Sequence, residues 1–281
     1  MSAPETGRRP GAVRSILVHV ALAVAGIIVG IPLYWTVISS LTTNAAIFAT
    51  PVQWIPPSLH PENFSQALSS APFGRYFLNS TAVGLAVTLT TLVSSALAGY
   101  GFAKFRFPGR RLLFVVVLIA LMVPFQAIMI PLFVLARQLG WLNSYAGLIV
   151  PGAVSGFGIF LMRQFMSKLP DALLEAARLD GCNEFMVFLK VALPLSRSAL
   201  SALAVLTFLA SWNNFLWPLI VAQSADVFTV PLGIVQFRGS YSTNYIQILA
   251  VALVAAAPVV VLYLAMQRQI ISTFASSGIK G

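Results

Sequence analysis

Acidic residues are scarce in this sequence of 281 residues, which contains 7 Asp and Glu against 17 Lys and Arg, with two His and one Cys. Charged residues make up 9% of the chain and apolar residues 58%, whereas soluble domains carry about 25% charged residues. The lone Cys182 cannot form an internal disulfide, and so few histidines and cysteines predict no metal site. The composition indicates an integral membrane protein.

Several sequence motifs of enzymes and nucleic-acid binders are also missing. No G-x-x-x-x-G-K-[ST] motif is present, so we expect no ATP bound through a P-loop, and no cofactor in this chain. The sequence contains no pair of acid and base candidates that would indicate a catalytic site, and we therefore expect a non-catalytic protein. The net charge of +10 does not form one dense basic stripe, and this argues against a nucleic-acid partner.

Long apolar runs are the main feature of the sequence. A helix of about 20 apolar residues crosses the hydrocarbon core of a bilayer, and on this basis we predict an all-α protein of six spans in one transmembrane domain over residues 1–281. The predicted spans cover about 16–38, 78–103, 112–135, 146–165, 199–221 and 245–267.

The basic residues predict the orientation of these spans. With both termini cytoplasmic, the inner segments hold fourteen Lys and Arg, and the outer segments hold only Arg75, Arg137 and Arg238. Cytoplasmic loops of membrane proteins carry such an excess of Lys and Arg. We therefore predict that the N-terminus and the C-terminus are both cytoplasmic.

No Asp, Glu, Lys or Arg lies deep inside a predicted span, which weakens a mechanism driven by an ion gradient. Neutral polar and aromatic residues do occur there, and they suit either helix–helix packing or a path for a polyhydroxylated solute. Both interpretations stay open for the candidate path residues Asn79, Gln126, Trp212, Asn213 and Trp217. Prolines 124, 131, 151, 218 and 258 are expected to break or kink spans.

The acidic residues are concentrated in one inner loop, predicted at about 166–198. Four of the seven, Asp171, Glu175, Asp180 and Glu184, fall within fourteen positions. Pro170 suits the first helical position, acids near that start favour the helix dipole, and Gly181 suits a left-handed stop. We predict a short helix, a glycine turn, and a second helix from Asn183 that Pro194 ends or kinks.

The motif "EAARLDG" (175–181) followed by Leu193-Pro194 resembles the EAA loop of permease subunits of bacterial ABC importers. The chain is similar to the carbohydrate-uptake class, typified by the smaller maltose permease subunit. Further stretches carry the likeness over most of the chain: "YGFAKFRFPGRRLLF" (100–114), "IPLFVLARQLGWLNSYAGLIVP" (130–151), "FLMRQFMSKLPDALLEAARLDG" (160–181), "SWNNFLWPLIV" (211–221) and "MQRQIISTFASSGIKG" (266–281).

This resemblance implies a type I ABC importer fold and a coupling function for the loop. In that family the EAA loop forms a helix seated in a groove of a separate ATPase. The implied coupling residues are Glu175, Ala176, Ala177, Asp180 and Gly181. The tail at 268–281 is implied to contact the ATPase through Ser277, Gly278, Ile279 and Lys280, although its "FASSGIKG" departs from the commoner glycine- and threonine-containing variants.

The resemblance also implies a set of partners. These are a second, homologous permease subunit, two copies of an ATPase that binds ATP and Mg²⁺, and an external solute-binding protein. The permease subunits are implied to span the lipid bilayer of a bacterial plasma membrane. A sugar or related polyol is the expected solute. A non-sugar solute such as glycerol phosphate, and an ATP-independent secondary transporter or channel, are the alternatives.

Overall fold

The structure is a computed structural model that describes residues 12–237 and 243–278, and the side chains of 15–237 and 243–267. Fifteen α-helices occur in the described residues. The first seven are α1 (Ala12–Ser40), α2 (Asn44–Ile47), α3 (Glu62–Ser69), α4 (Phe73–Lys104), α5 (Arg110–Met122), α6 (Phe125–Gln138) and α7 (Tyr145–Ile149). The others are α8 (Gly156–Met166), α9 (Asp171–Leu179), α10 (Glu184–Val187), α11 (Leu193–Leu195), α12 (Arg197–Trp212), α13 (Leu216–Val221), α14 (Val230–Val235) and α15 (Tyr245–Gly278).

Three helical segments are long and apolar enough to cross a membrane by themselves: Ser15–Ser40, Phe73–Lys104 and Tyr245–Gln267. Three further candidates are bent pairs of helices. Arg110–Met122 with Phe125–Gln138 bends by 100°, Tyr145–Gly152 with Gly156–Met166 by 40°, and Glu184–Leu195 with Arg197–Trp212 by 76°. The described residues therefore hold between three and six spans, depending on whether each bent pair counts as one span.

Prolines and small polar residues explain the breaks. The predicted stretch 112–135 divides because Pro124, which lacks an N–H, precedes the first residue of α6. Pro131 and Pro258, by contrast, lie inside α6 and α15 without ending them. Ser155 starts α8 by accepting a hydrogen bond from the amide of Gly158 (3.2 Å).

The chain divides into two compact units, one from Met1–Ala67 with Phe237–Leu253, the other from Leu68–Gln236 with Val254–Gly281. In the described part of the first unit, the connection after α1 folds back on the end of that helix. The Tyr34 hydroxyl donates to the carbonyl of Trp54 (2.7 Å), and the Trp35 and Trp54 rings meet edge to face at 5.4 Å. Asn63 donates to the carbonyls of Ser40 and Thr42 (both 3.0 Å).

In the second unit, α4 is the central helix and packs along α8 and α12. Glycines on α4 and α8 allow the close approach, as small residues do between helices in membranes. A Cβ atom at Gly99 would lie 2.6 Å from the Cβ of Met162 on α8. A Cβ atom at Gly84 would lie 3.0 Å from the ring of Phe208 on α12. This packing places the last turn of α4 beside the loop that carries the acidic residues.

Candidate functional site

The acidic loop begins with α9, whose ends follow its sequence. Asp171 lies in the first turn and Arg178 in the last, so each charge opposes the nearby end of the helix dipole. Pro170 is the residue before the helix rather than its first residue. Gly181 has a φ of +86°, and the amides of Gly181 and Cys182 donate to the carbonyls of Arg178 and Ala177 (both 3.0 Å). The predicted glycine stop is confirmed, in the form of a Schellman motif.

The α9 helix is amphipathic and buries one face. Leu174 is 1% exposed and packs into a cluster with Met162, Met166 and Val187. Leu179, the last residue of α9, is 90% exposed. The side of α9 that carries Leu179 therefore does not pack against the rest of the chain.

The five predicted coupling residues are split between these two faces. Glu175, Ala176 and Asp180 lie at the surface. Ala177 is half-buried and packs against the cluster under α9, and Gly181 forms the turn. The surface of α9 therefore presents Glu175, Ala176, Leu179 and Asp180 together.

The chain returns to the next span through a second helical run, as the sequence predicts. The Asn183 side chain accepts from the amide of Met186 (2.8 Å) and starts α10. Residues Phe188–Ala192 then form a π-helical segment before Pro194. The proline ring has no N–H for the carbonyl four residues back, and widening the helix accommodates that loss. The path bends by 76° before α12 begins at Arg197.

Two polar links, an ion pair and a hydrogen bond from a tyrosine, join this loop to the last two turns of α4. Lys104 Nζ donates to Asp171 Oδ1 (2.6 Å) and to the carbonyl of Leu169 (2.7 Å). At the other end of α9, Arg178 Nε donates to Glu184 Oε1 (2.6 Å), and the Tyr100 hydroxyl donates to Glu184 Oε2 (3.4 Å). The hydrogen bond from Lys104, together with its charge, holds the pKa of Asp171 below its ordinary value of 3.8.

A cleft of about 590 Å³ opens in the second unit where three helix breaks meet. Leu121 and Phe125 flank the break between α5 and α6, and Ser155 lies in the break before α8. Asn214 lies in the break between α12 and α13. Irregular backbone at membrane depth is tolerated where it is buried in protein or lines a cavity, so the converging breaks identify this cleft as the candidate solute site.

The walls of the cleft carry no charge. The polar lining residues are Thr91, Ser155, Thr207, Ser211, Asn214 and Thr229, and the aromatic ones are Phe125, Phe157 and Trp217. The Thr229 hydroxyl is buried, and no partner for it occurs in the described part of the chain. Hydroxyls, an amide and aromatic faces can hydrogen-bond and stack against a neutral polyhydroxylated molecule.

Of the candidate path residues, Trp217 lines this cleft, and its indole N–H donates to the carbonyl of Gly147 (2.7 Å). Asn79 is 1% exposed and holds a loop, because its amide donates to the carbonyls of Asp226 (2.8 Å) and Phe228 (2.9 Å). Trp212 is buried, stacks on Phe208, and donates to the carbonyl of Ala255 (3.1 Å).

Two candidates are exposed residues outside the cleft lining. The Asn213 amide donates to the carbonyl of Leu209 (3.0 Å) at the end of α12, and Gln126 lies in the first turn of α6. The neighbouring Asn214 lines the cleft instead, as do Ser155, Thr207 and Ser211. The Asn213-Asn214 pair ahead of Pro218 signals a helix break in the sequence, but which asparagine faces the cavity depends on where the helix ends.

The predicted tail contact lies partly beyond the described residues. Ser277 and Gly278 are the last two residues of α15, described as backbone. Ile279 and Lys280 lie outside the described residues. Among the described residues, no group of three or more His, Cys, Asp and Glu could hold a metal ion.

Residues 91–272 match the family described as "Binding-protein-dependent transport system inner membrane component", and this match includes α9, the two polar links and most of the cleft. The chain belongs to this family. It is therefore a permease subunit of a binding-protein-dependent importer, and its role is to carry solute across a membrane rather than to catalyse a reaction.

Relatives of this permease agree with that assignment. It is 35% identical to the arabinooligosaccharides transport system permease protein AraQ of Halalkalibacterium halodurans, over 98% of this chain and 99% of the relative. It is 36% identical to the lactose transport system permease protein LacG of Rhizobium radiobacter, over 91% and 93%. It is also 36% identical to the sn-glycerol-3-phosphate transport system permease protein UgpE of Salmonella typhi, over 90% and 93%.

The fold of the permease is likewise found in a solved structure. A chain from the crystal structure of a bacterial ABC transporter involved in the import of the acidic polysaccharide alginate superimposes with a TM-score of 0.82. The alignment covers 94% of this chain and 99% of that chain, at 21% sequence identity. This likeness shows the type of fold, an all-helical ABC importer permease.

Proposed function

We propose that this permease imports a neutral saccharide or polyol across a bacterial plasma membrane. The observation that carries the proposal is the uncharged cleft at the breaks between α5 and α6, before α8, and between α12 and α13, with its hydroxyl, amide and aromatic lining. Sugars are recognised by such groups. Two of the relatives are named for arabinooligosaccharide and lactose transport.

Glycerol phosphate is the second candidate solute, because a relative at 36% identity is named for its transport. A phosphate dianion in a low-dielectric cleft calls for Arg or Lys close by. The lining residues of the cleft include neither. The geometry therefore favours the neutral solute.

The proposed permease has six spans with both termini cytoplasmic, counting each bent helix pair as one span. It works with a second permease subunit, two copies of an ATPase that binds ATP and Mg²⁺, and an external solute-binding protein. The exposed surface of α9, with Glu175, Ala176, Leu179 and Asp180, docks the ATPase. Closure of the ATPase pair then drives the spans between inward-open and outward-open arrangements. The tail residues Ser277 to Lys280 supply a second contact.

Uptake by the purified complex in vesicles tests the solute. The complex is extracted from its own cell and reconstituted with ATP inside, and the uptake of labelled lactose, arabinotriose and sn-glycerol 3-phosphate is compared. We expect uptake of at least one neutral saccharide and none of glycerol phosphate. Uptake of glycerol phosphate alone would overturn the proposal, and uptake without ATP would overturn the ATP-driven mechanism.

A matched pair of substitutions tests the cleft. Asn214→Leu removes a polar group from the lining, whereas Asn213→Leu changes the neighbouring exposed residue that lies outside it. We expect Asn214→Leu to reduce uptake about tenfold or more while ATP hydrolysis persists, because a lost polar contact to solute costs about 1–3 kcal/mol. Asn213→Leu should transport normally. Equal effects of the two changes would contradict a solute site in the cleft.

Substitution of Gly181 tests the docking of the ATPase. At a φ of +86°, Val is strained, although a Cβ would meet nothing within 4 Å. Gly181→Val should reduce co-purification of the ATPase, and Gly181→Asn should preserve it because Asn tolerates the left-handed conformation. Full recovery of the ATPase with Gly181→Val would argue against α9 as the docking helix.

A further inference from the structure

The helix that we propose as the ATPase dock is fastened at its first turn to α4. The Lys104 ammonium bonds both the Asp171 carboxylate and the carbonyl of Leu169, at 2.6 and 2.7 Å. Only 7% of the Lys104 side chain is exposed, against 74% of Asp171. The surrounding residues therefore fix the position of Lys104. Lys104 in turn holds Asp171 and the segment before α9.

The last turn of the same helix is fastened one turn earlier on α4. Arg178 meets Glu184 through two contacts, Nε to Oε1 at 2.6 Å and Nη2 to Oε2 at 3.3 Å. Glu184 also accepts from the hydroxyl of Tyr100, which is 4% exposed and packs its ring against Phe188 at 5.2 Å. Glu184 thus connects the end of α9 to a buried residue of the span.

Apolar packing fills the space between the two links. Leu174, Val187 and Phe188 join Tyr100 and Met162 in one buried cluster. The connection onward to α12 is different in kind, because it passes through the π-helical segment Phe188–Ala192 and a 76° bend. The same buried cluster also holds Ala199 and Leu203 of α12, so the docking helix packs against both helices. The two polar links, by contrast, both end on α4.

From this arrangement we infer that Lys104 and Glu184 are positioning residues that make α9 and the cytoplasmic end of α4 move as one body. In this inference, which rests on the proposed coupling function, a displacement of α9 by the ATPase reaches the membrane through α4. The α4 helix also reaches the cleft, because its residues Val83, Val87 and Thr91 line the cleft wall. Neither Lys104 nor Glu184 lines the cleft.

Spin-label distances in the full complex test this inference without knowledge of the solute. One label is placed at Leu97 on α4 and one at Ala172 on α9, both exposed positions, in a Cys182→Ala background. The distance is measured without nucleotide and with ATP and Mg²⁺ under conditions that block hydrolysis. We expect the same narrow distribution in both states for the otherwise unchanged protein.

Lys104→Met and Glu184→Gln break one link each, and Lys190→Met removes an exposed lysine of the same loop as a matched control. We expect either link variant to enlarge a displaced population about tenfold, as the loss of a charge-assisted hydrogen bond allows. Lys190→Met should leave the distribution unchanged. ATP hydrolysis should continue in Lys104→Met while the solute carried per ATP falls.

The outcomes separate the inference from the proposed function. A distance that changes with ATP in the unsubstituted complex, or an unchanged distribution in both link variants, would overturn the inference. Failure of an ATPase to co-purify with the unsubstituted permease would overturn the proposed function instead. If Lys104→Met does not assemble, Asp171→Asn weakens the same link from its exposed side, and an unchanged distribution there counts against the inference.

Discussion

Asn79 shows how one residue can suit two roles in the sequence and only one in the structure. It lies in the second predicted span, where an amide suits either a solute path or interhelical bonding. In the structure its side chain holds the carbonyls of Asp226 and Phe228 and accepts from the Tyr145 hydroxyl at 2.6 Å. Three partners from two other segments make it a structural residue.

We predict that Asn79→Ala lowers the free energy of unfolding by about 2 kcal/mol, because three hydrogen bonds made by a buried amide are lost. Unfolding of the detergent-solubilised complex, followed by temperature, measures the change. The exposed Asn213→Ala is the control and should fall within about 0.5 kcal/mol of the parent. A stable Asn79→Ala protein that has lost uptake would return Asn79 to the solute path.

Asp171 carries a prediction about pH. Its pKa is lowered by Lys104, so the link stabilises the folded state above the ordinary pKa of 3.8 and is lost as the pH falls through the lowered value. The difference in melting temperature between the parent and Asp171→Asn should stay constant between about pH 5 and 8 and shrink below about pH 4. The effect is small because the carboxylate is 74% exposed and screened by solvent. A difference that grows on acidification would contradict the assigned link.

At the scale of elements, glycines decide how closely the central helices pack. Gly99 faces the backbone of α8, and a methyl group added there would lie 2.6 Å from Met162 Cβ and 2.9 Å from the Arg163 amide nitrogen. Gly101, two residues on, has nothing within 4 Å of the same position. The two sites lie on one helix and differ only in what faces them.

Gly99→Ala should therefore destabilise the protein by about 1–3 kcal/mol, since backbone atoms cannot turn away from the added methyl group. Gly101→Ala should be neutral or slightly stabilising. Thermal unfolding of the two single variants, made in the same background, measures the contrast. If the two variants melt together, α4 and α8 do not approach as closely as described.

The whole molecule presents much of its apolar surface outward, as a subunit of a membrane complex does. The membrane-span windows of Ser15–Ser40 and Tyr245–Gln267 are 0% and 11% buried within the chain, against 44% for Phe73–Lys104. Lipid and the second permease subunit are the partners that we propose for those surfaces. Of these three segments, α4 is the one most covered by the rest of the chain.

Orientation is the prediction at this scale. With both termini cytoplasmic, Arg106 lies inside and Leu59 outside, and both are exposed. In a Cys182→Ala background, an impermeant maleimide added to spheroplasts should label Leu59→Cys and leave Arg106→Cys unlabelled until the membrane is opened. The opposite labelling would invert the topology and place α9 away from any cytoplasmic ATPase.

The sequence alone determined the membrane class, the helical character, and the short helix that the turn at Gly181 terminates. These depend on composition and on residues within a few positions of one another: apolar runs, dipole-matched charges and a glycine able to adopt positive φ. The family likeness of the EAA loop also depends on a contiguous motif, and the family match agrees with it.

Only the tertiary structure decided which polar residues meet the cleft and which groups fasten α9 to α4. Lys104 and Asp171 are 67 positions apart, and Asn79 and Asp226 are 147 apart. Such pairs form because packing at Gly99 and Gly84 sets how α4 meets its neighbours, and because the bends set where each chain segment points. Local sequence patterns do not determine those angles. Asn213 and Asn214 are therefore equivalent in the sequence, but only Asn214 lines the cleft in the fold.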